Sequence, residues 1–395
     1  MTTAALGVPG RTEKPEEVKA ADLLPPSIVS GTNSQVLDPV ADDGYLYTYQ
    51  LQSKFGVMTV TSTATLYERV HEFNMIAQMD ELSGTKEFSK GVEAQAKNVA
   101  KGAENLVVHP VKTTKKAISG VGRLFGKIGH AFSGDSDSHT SVANVIGFSK
   151  VERAYAQRFQ VDPYSRNPYL QKTLKDVSTA GFLGGAITKL GLGAVGGGAG
   201  TFLTVSSTTN SLGALVTSKS GKELASYNTD TLRAMGVDED IIDLFLKNDH
   251  FTRTERTSIV VSLDSMKDTK NREAFVKFSI LTADDDVAAF RRRQAEMYSA
   301  FHNTQKPIKE FLFLDQFAAG VLEDNSLLII APVDHLLWTA SMANYITSLN
   351  HEMSANPRPA KHLWLGGSAS PMALKNLKQE GWQVKQNAAD LLKSK

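Results

Sequence analysis

The chain has 395 residues, with 43 Lys+Arg against 42 Asp+Glu for a formal charge of +1, 41% hydrophobic and 22% charged residues, and no cysteine. This balance excludes a wholly disordered chain, a collagen-like chain and a membrane protein with many spans. The missing cysteines exclude disulfides, thiolate zinc sites, iron–sulfur clusters and cysteine nucleophiles.

A cysteine-free chain of this length suits an oxidising compartment, so a bacterial cell envelope or periplasm is favoured over the cytoplasm. Residues 1–10 lack the basic start and apolar run of a secretory signal. Export would therefore imply a leader already removed.

Residues 1–44 hold Pro9, Pro15, Pro25, Pro26 and Pro39 without an apolar period, and read as a flexible tail. Residues 45–62 are rich in aromatic and β-branched side chains, with Tyr45, Tyr47 and Tyr49 on one face. They predict a β-hairpin turning at residues 54–56. A helix capped by Thr63 should then run to about Leu82, burying Leu66, Val70, Phe73, Ile76 and Met79.

Positive charge concentrates next. Residues 86–132 carry nine Lys/Arg and three acids, a local net of +6. Within them, Ile118, Val121, Phe125, Ile128 and Phe132 share one helical face, with Lys115, Lys116, Arg123 and Lys127 largely off it. Four glycines (Gly120, Gly122, Gly126, Gly129) weaken this helix, each by up to about 1 kcal/mol. It would fold when something covers its apolar face, either the rest of this chain, with the lysines as a solvated rim, or an external surface.

Residues 134–141 start like a calcium loop but lack its glycine and terminal glutamate. Helices are expected over 149–159 and 169–177, joined by the two-proline turn 161–168. Ten of residues 177–218 are glycine, and the 29 residues from Leu190 to Ser218 carry no charge. That exceeds the ~20 residues that span a bilayer, though Ser, Thr and Asn dilute its hydropathy. A packed small-residue element is the competing reading.

From residue 220 the pattern becomes that of an α/β unit. Helices are expected over 224–235, 238–247 (capped by Asp238), 252–266, 271–281, 284–302 (capped by Thr282), 335–353 and 371–380. Strands are expected over 311–314, 319–322, 327–331, 362–365 and 382–384, with a hairpin turn at residues 323–325.

No motif carries a reaction. Gly191, Gly193 and Gly196 match G-x-G-x-x-G, but the next acid, Glu223, is too distant and the run is low in complexity. The Gly366–Ser370 run lacks the closing glycine of a nucleophile elbow, and Ser370-Pro371 reads as a helix start. The nine histidines form no metal-ligand pattern. Asp284, Asp285 and Asp286 read as helix capping, and Arg291, Arg292 and Arg293 as a solvated face paired with them.

The expected fold is a helix-rich α+β protein with an N-terminal β-hairpin and helices and a C-terminal α/β unit carrying a small mixed sheet. Its divisions are 1–44 (flexible tail), 45–135 (hairpin and basic amphipathic helices), 136–230 (helical and glycine-rich) and 231–395 (α/β domain). The expected role is non-enzymatic: an envelope-associated protein contacting an anionic membrane surface or a protein partner. The contact residues are Lys101, Lys112, Lys115, Lys116, Ile118, Val121, Arg123, Leu124, Phe125, Lys127, Ile128 and Phe132. The alternative is an assembly subunit burying these surfaces against another chain or a copy of itself. Nucleic acid is disfavoured, since the stretch lacks an arginine-rich or stacking pattern. No catalytic residue, cofactor or metal is expected; an enzyme would need His302, His335 or His351 brought together with carboxylates.

Overall fold

Strand propensity near Tyr45 has to find a partner, and it finds one upstream as well as down. The computed structural model describes residues 11–83, 124, 149–179, 207–314 and 317–392. Residues 11–44, which read as a tail, carry two short helices, α1 (Ala20–Leu23) and α2 (Pro26–Val29), and strand β1 (Ser34–Asp42). Val36 and Val40 of β1 are buried, across a register shift between Leu37 and Ala41. That bulge, with Pro39 inside it, hides the alternation from a local reading.

β1 pairs antiparallel with β2 (Tyr47–Ser53), and β2 with β3 (Gly56–Thr61), making a meander where the sequence predicts a hairpin. The turn falls at Lys54-Phe55 as the sequence implies. Gly56 adopts φ +144°, and a Cβ there would stand 2.1 Å from the Tyr169 hydroxyl.

Helix α3 (Thr63–Ser83) follows, and its whole expected stripe is buried. It packs against α5 (Pro168–Thr179), which packs in turn against α4 (Lys150–Arg158), a helix that begins with a Ser149/Glu152 capping box. Tyr49, Leu51, Phe73, Leu170 and Leu174 centre this N-terminal core.

Six helices come next: α6 (Ser207–Ser218), α7 (Gly221–Ala234), α8 (Glu239–Lys247), α9 (Arg253–Asp264), α10 (Glu273–Ile280) and α11 (Asp285–Thr304). Ser220/Glu223 and Thr252/Glu255 form capping boxes for α7 and α9. The cap of α11 is Asp284, whose carboxylate accepts from Val287 N–H at 2.8 Å, and not Thr282. The arginines of α11 are not a solvated face either. Arg292 and Arg293 pair with Glu68 and Glu296, and Arg291 is fully buried.

The C-terminal sheet contains β4 (Ile308–Leu314), β5 (Phe317–Leu322), β6 (Leu327–Ala331), β8 (Lys361–Leu365) and β10 (Trp382–Lys385), in spatial order β10-β8-β6-β5-β4. β6 is wholly buried, as the apolar run Leu-Leu-Ile-Ile-Ala requires. β4, β5 and β6 are antiparallel, whereas β6, β8 and β10 are parallel. Helices α12 (Ala340–Met353) and α13 (Pro371–Gln379) make the two crossovers, and a 3-10 turn (Ala388–Leu392) follows β10.

Residues 335–339 are extended, not the first turns of α12. His335-Leu336 form a short strand, β7, parallel to β9 (Ser368–Ala369), and Thr339 caps the helix instead. With thirteen helices among the described residues, the fold is helix-rich α+β, and its C-terminal sheet is mixed. Tyr45 and Leu46 leave the N-terminal core to enter the C-terminal one, so the two are seamed together.

Candidate functional site

Ligands of sheets with parallel strands gather where strand carboxyl ends meet helix N-termini. Here that edge is built by residues 332–339 after β6, 366–370 after β8 and 386–387 after β10. Gly366 and Gly367 let two loops touch: a Cβ at 367 would lie 2.1 Å from the Asp334 carbonyl oxygen.

The amides of residues 366–370 are all engaged. Gly366 N–H donates to Ala331 O (2.8 Å), Gly367 to Val333 O (2.7 Å), Ser368 to Asp334 O (3.1 Å) and Ser370 to Leu336 O (3.0 Å). Ala369 N–H donates to the Gln386 side chain at 2.8 Å.

Four polar side chains lie at this edge, paired as His335 with Ser368 and Glu13 with Ser370. His335 Nδ1 and the Ser368 hydroxyl are 2.7 Å apart, and the imidazole lies parallel to the Tyr47 ring at 6.5 Å. Burial pushes the His335 pKa down, against the pull of Glu13. Glu13 pairs by backbone and side chain with Trp338: its N–H donates to the Trp338 carbonyl (2.9 Å), and its carboxylate accepts the Trp338 N–H (2.7 Å). The same carboxylate oxygen accepts the Ser370 hydroxyl at 2.6 Å.

Asp334 accepts from Tyr47 N–H and Thr63 N–H, each at 3.0 Å. It therefore caps α3 across the seam, from 271 residues away in sequence. Ser62, with φ +74°, supplies the local part of the cap through Thr65 N–H. Removal from solvent pushes the Asp334 carboxyl up to about 6, and the two amides only partly offset it.

A serine within reach of an imidazole is half of a nucleophilic arrangement. The other half, amides directed at a developing oxyanion, is spent here on the β7–β9 ladder and the Gln386 side chain. The chain itself also reaches this edge. Asp334 N–H and Leu337 N–H donate to the carbonyls of Tyr45 and Gly44, and the Tyr45 hydroxyl meets the Thr339 hydroxyl at 3.2 Å. The edge works as an internal dock for the N-terminal meander.

A second polar cluster lies behind it, between α3, α11 and the two-proline turn. Arg292 pairs with Glu68 at 2.6 Å and with Glu296 at 3.4 Å. Arg69 pairs with Glu72, which also accepts from the Ser165 hydroxyl (2.6 Å) and Asn167 Nδ2 (2.9 Å). Arg166 joins Glu255 and Asp285. Burial pushes Glu68 up, but Arg292 and Arg69 outweigh it and hold the group below its usual range. Asp162 goes the other way. Burial raises it to about 6, although Thr254 Oγ1 and Tyr164 N–H both donate to its Oδ1.

Of the twelve contact residues expected from sequence, Leu124 is the one among the described residues, and it is fully buried in the C-terminal core. Lys101, Lys112, Lys115, Lys116, Ile118, Val121, Arg123, Phe125, Lys127, Ile128 and Phe132 lie outside the described residues, as does the 191–196 glycine run. His302 receives Ile308 N–H at 3.0 Å, and His351 is exposed on α12, so neither joins His335. Among the described residues, no group of three His, Asp or Glu is placed to hold a metal ion, and no helix is long and apolar enough to cross a membrane.

Sequence reasoning passed over Glu13, because its partners lie more than 320 residues away. It passed over Asp334 because the residues that follow it, 335–353, read as one helix. The one available signal was the Gly366-Gly367 pair before a serine, a mark of close backbone approach. No protein-family model, curated protein or solved structure matches this chain.

Proposed function

We propose that this protein is a non-enzymatic contact protein, in which two seamed cores carry the basic segment 86–132 to an anionic membrane surface. The observation that carries the reading is the local net charge of +6 alongside apolar residues at helical spacing. One feature of the described residues supports it: the sheet edge that would hold a small ligand is occupied by Gly44, Tyr45 and Glu13. Leu124, counted from sequence among the contact residues, is instead buried in the C-terminal core.

Because Leu124 is used inward, charge rather than deep insertion dominates the contact. Each basic residue near an anionic leaflet contributes about 1 kcal/mol, and salt screens that attraction. The full chain should co-sediment with phosphatidylserine-containing vesicles at low ionic strength and release at about 0.3 M salt. Replacing Lys112, Lys115, Lys116 and Lys127 by Gln should weaken binding at least a hundredfold, about 3 kcal/mol. Equal binding to neutral vesicles, or none at low salt, would remove the reading.

The assembly-subunit alternative draws on β4, an edge strand whose Phe313 is 40% exposed. Light scattering decides it: a concentration-independent monomer counts against it.

A further inference from the structure

The three consecutive arginines of α11 divide in an unequal way. Arg292 and Arg293 reach carboxylates, as buried guanidinium groups generally must. Arg291 turns the other way and is among the largest side chains with no solvent exposure. Its guanidinium carbon sits 3.5 Å from the Phe278 ring centroid. Nη1 has one long contact, 3.5 Å to Gln294 Oε1, and neither Nε nor Nη2 has an acceptor.

Those two atoms are not an arbitrary pair. Nε–H and Nη2–H lie along one edge of the planar guanidinium, and they are the fork that grips two oxygens of one carboxylate or phosphate. Several neighbouring polar groups are committed elsewhere. Gln294 Nε2 donates to Ile330 O at 2.6 Å, and the Tyr298 hydroxyl donates to Leu328 O (3.3 Å) and accepts from Ile330 N–H (3.1 Å). The Asp284 carboxylate caps α11. Burial pushes the Arg291 pKa down to about 9, against Tyr345 and Asp284, which still leaves the side chain charged at neutral pH. Ring stacking compensates the face of the guanidinium and does nothing for its edge.

We infer that the Nε/Nη2 edge of Arg291 is an internal anion site, between α10, α11 and the Tyr345 side of α12, for one small anion with two coplanar oxygens. The ligand class is a carboxylate or phosphate-type oxyanion held bidentately. The occupant supplies the counter-charge and the two acceptors that this side chain lacks, so it stabilises the folded chain without taking part in membrane contact.

The test uses the full-length chain purified without added oxyanions. Denaturing it and analysing the released small molecules by ion chromatography should yield about one anion per chain. After exhaustive dialysis against a bulky sulfonate buffer, formate and inorganic phosphate are titrated separately at fixed ionic strength. The melting midpoint should rise saturably with at least one of them, and which one distinguishes carboxylate from phosphate. Arg291→Lys, which keeps the charge but lacks the fork, should lose the response. No released anion together with a flat titration overturns the site, as does an equal response in the lysine variant. If that variant does not fold, the release and titration of the unaltered chain decide the matter.

Discussion

Asp162 is held by two donors on one oxygen in a place where ionisation is penalised. Its pKa rises from 3.8 to about 6, so the folded state holds the proton more tightly than the unfolded state. A raised carboxyl works against the fold as pH climbs: the penalty is absent below about pH 4, grows between 4 and 6, and is complete above 6. Asn keeps an oxygen for Thr254 and Tyr164 and removes the charge. Asp162→Asn should therefore leave urea stability unchanged near pH 4 and raise it by about 1–3 kcal/mol near pH 7.5. A variant weaker than the parent at pH 7.5 would show that the carboxylate has a stabilising partner.

Glycines give a paired test at the same scale. Gly367→Ala forces a methyl against the Asp334 carbonyl oxygen, and should cost about 3 kcal/mol or more while loosening β7 from β9. Gly213 lies in α6, and a Cβ there would meet nothing within 4 Å. Gly213→Ala should add about 0.5–1 kcal/mol by restricting the unfolded chain. Chemical denaturation of the two variants reads both effects, and similar midpoints would contradict the contrast.

Among the elements, α3 and α11 are joined by Glu68 and Arg292, whose side chains are 25% and 15% exposed. Removing one member leaves a charge in low dielectric. Arg292→Ala should lower stability by about 3 kcal/mol, whereas Glu68→Leu with Arg292→Met should be near neutral. A double-mutant cycle measured by urea unfolding checks the pair, and purely additive losses would mean that the charges do not interact.

The elements most legible in sequence were those with local grammar. α3 shows its stripe from Leu66 to Met79, and α4, α7 and α9 announce themselves by Ser or Thr three residues before Glu. β6 is legible as an unbroken apolar run. What failed was decided at long range. β1 hides behind Pro39 and a bulge, since its reason to be a strand lies in Tyr47–Ser53. Residues 335–336 have adequate helical character but are pulled straight by Ser368 and Ala369. Arg291, Arg292 and Arg293 look alike in sequence, and their fates depend on what each one meets: the Phe278 ring of α10, Glu68 of α3, or Glu296 of their own helix.

At the scale of the whole molecule, the candidate site was nearly invisible from sequence for the same reason. Its parts come from residues 13, 44–47, 63, 334–339 and 366–370, and no periodicity links them. The seam they form explains how two hydrophobic cores act together: Tyr45 and Leu46 belong by sequence to the meander and by packing to the C-terminal core. The charge that motivates membrane contact was legible, because summing side-chain charges along a chain needs no fold. The vesicle experiment tests it with the seam intact.

The Asp334 cap also bears on how the polypeptide matures. A ribosome delivers α3 long before it delivers residue 334, so during synthesis the first turn of that helix waits for a carboxylate still to be translated. Nascent chains halted before position 334 should expose the Thr63 region to protease, and chains carried past the completed seam should shield it.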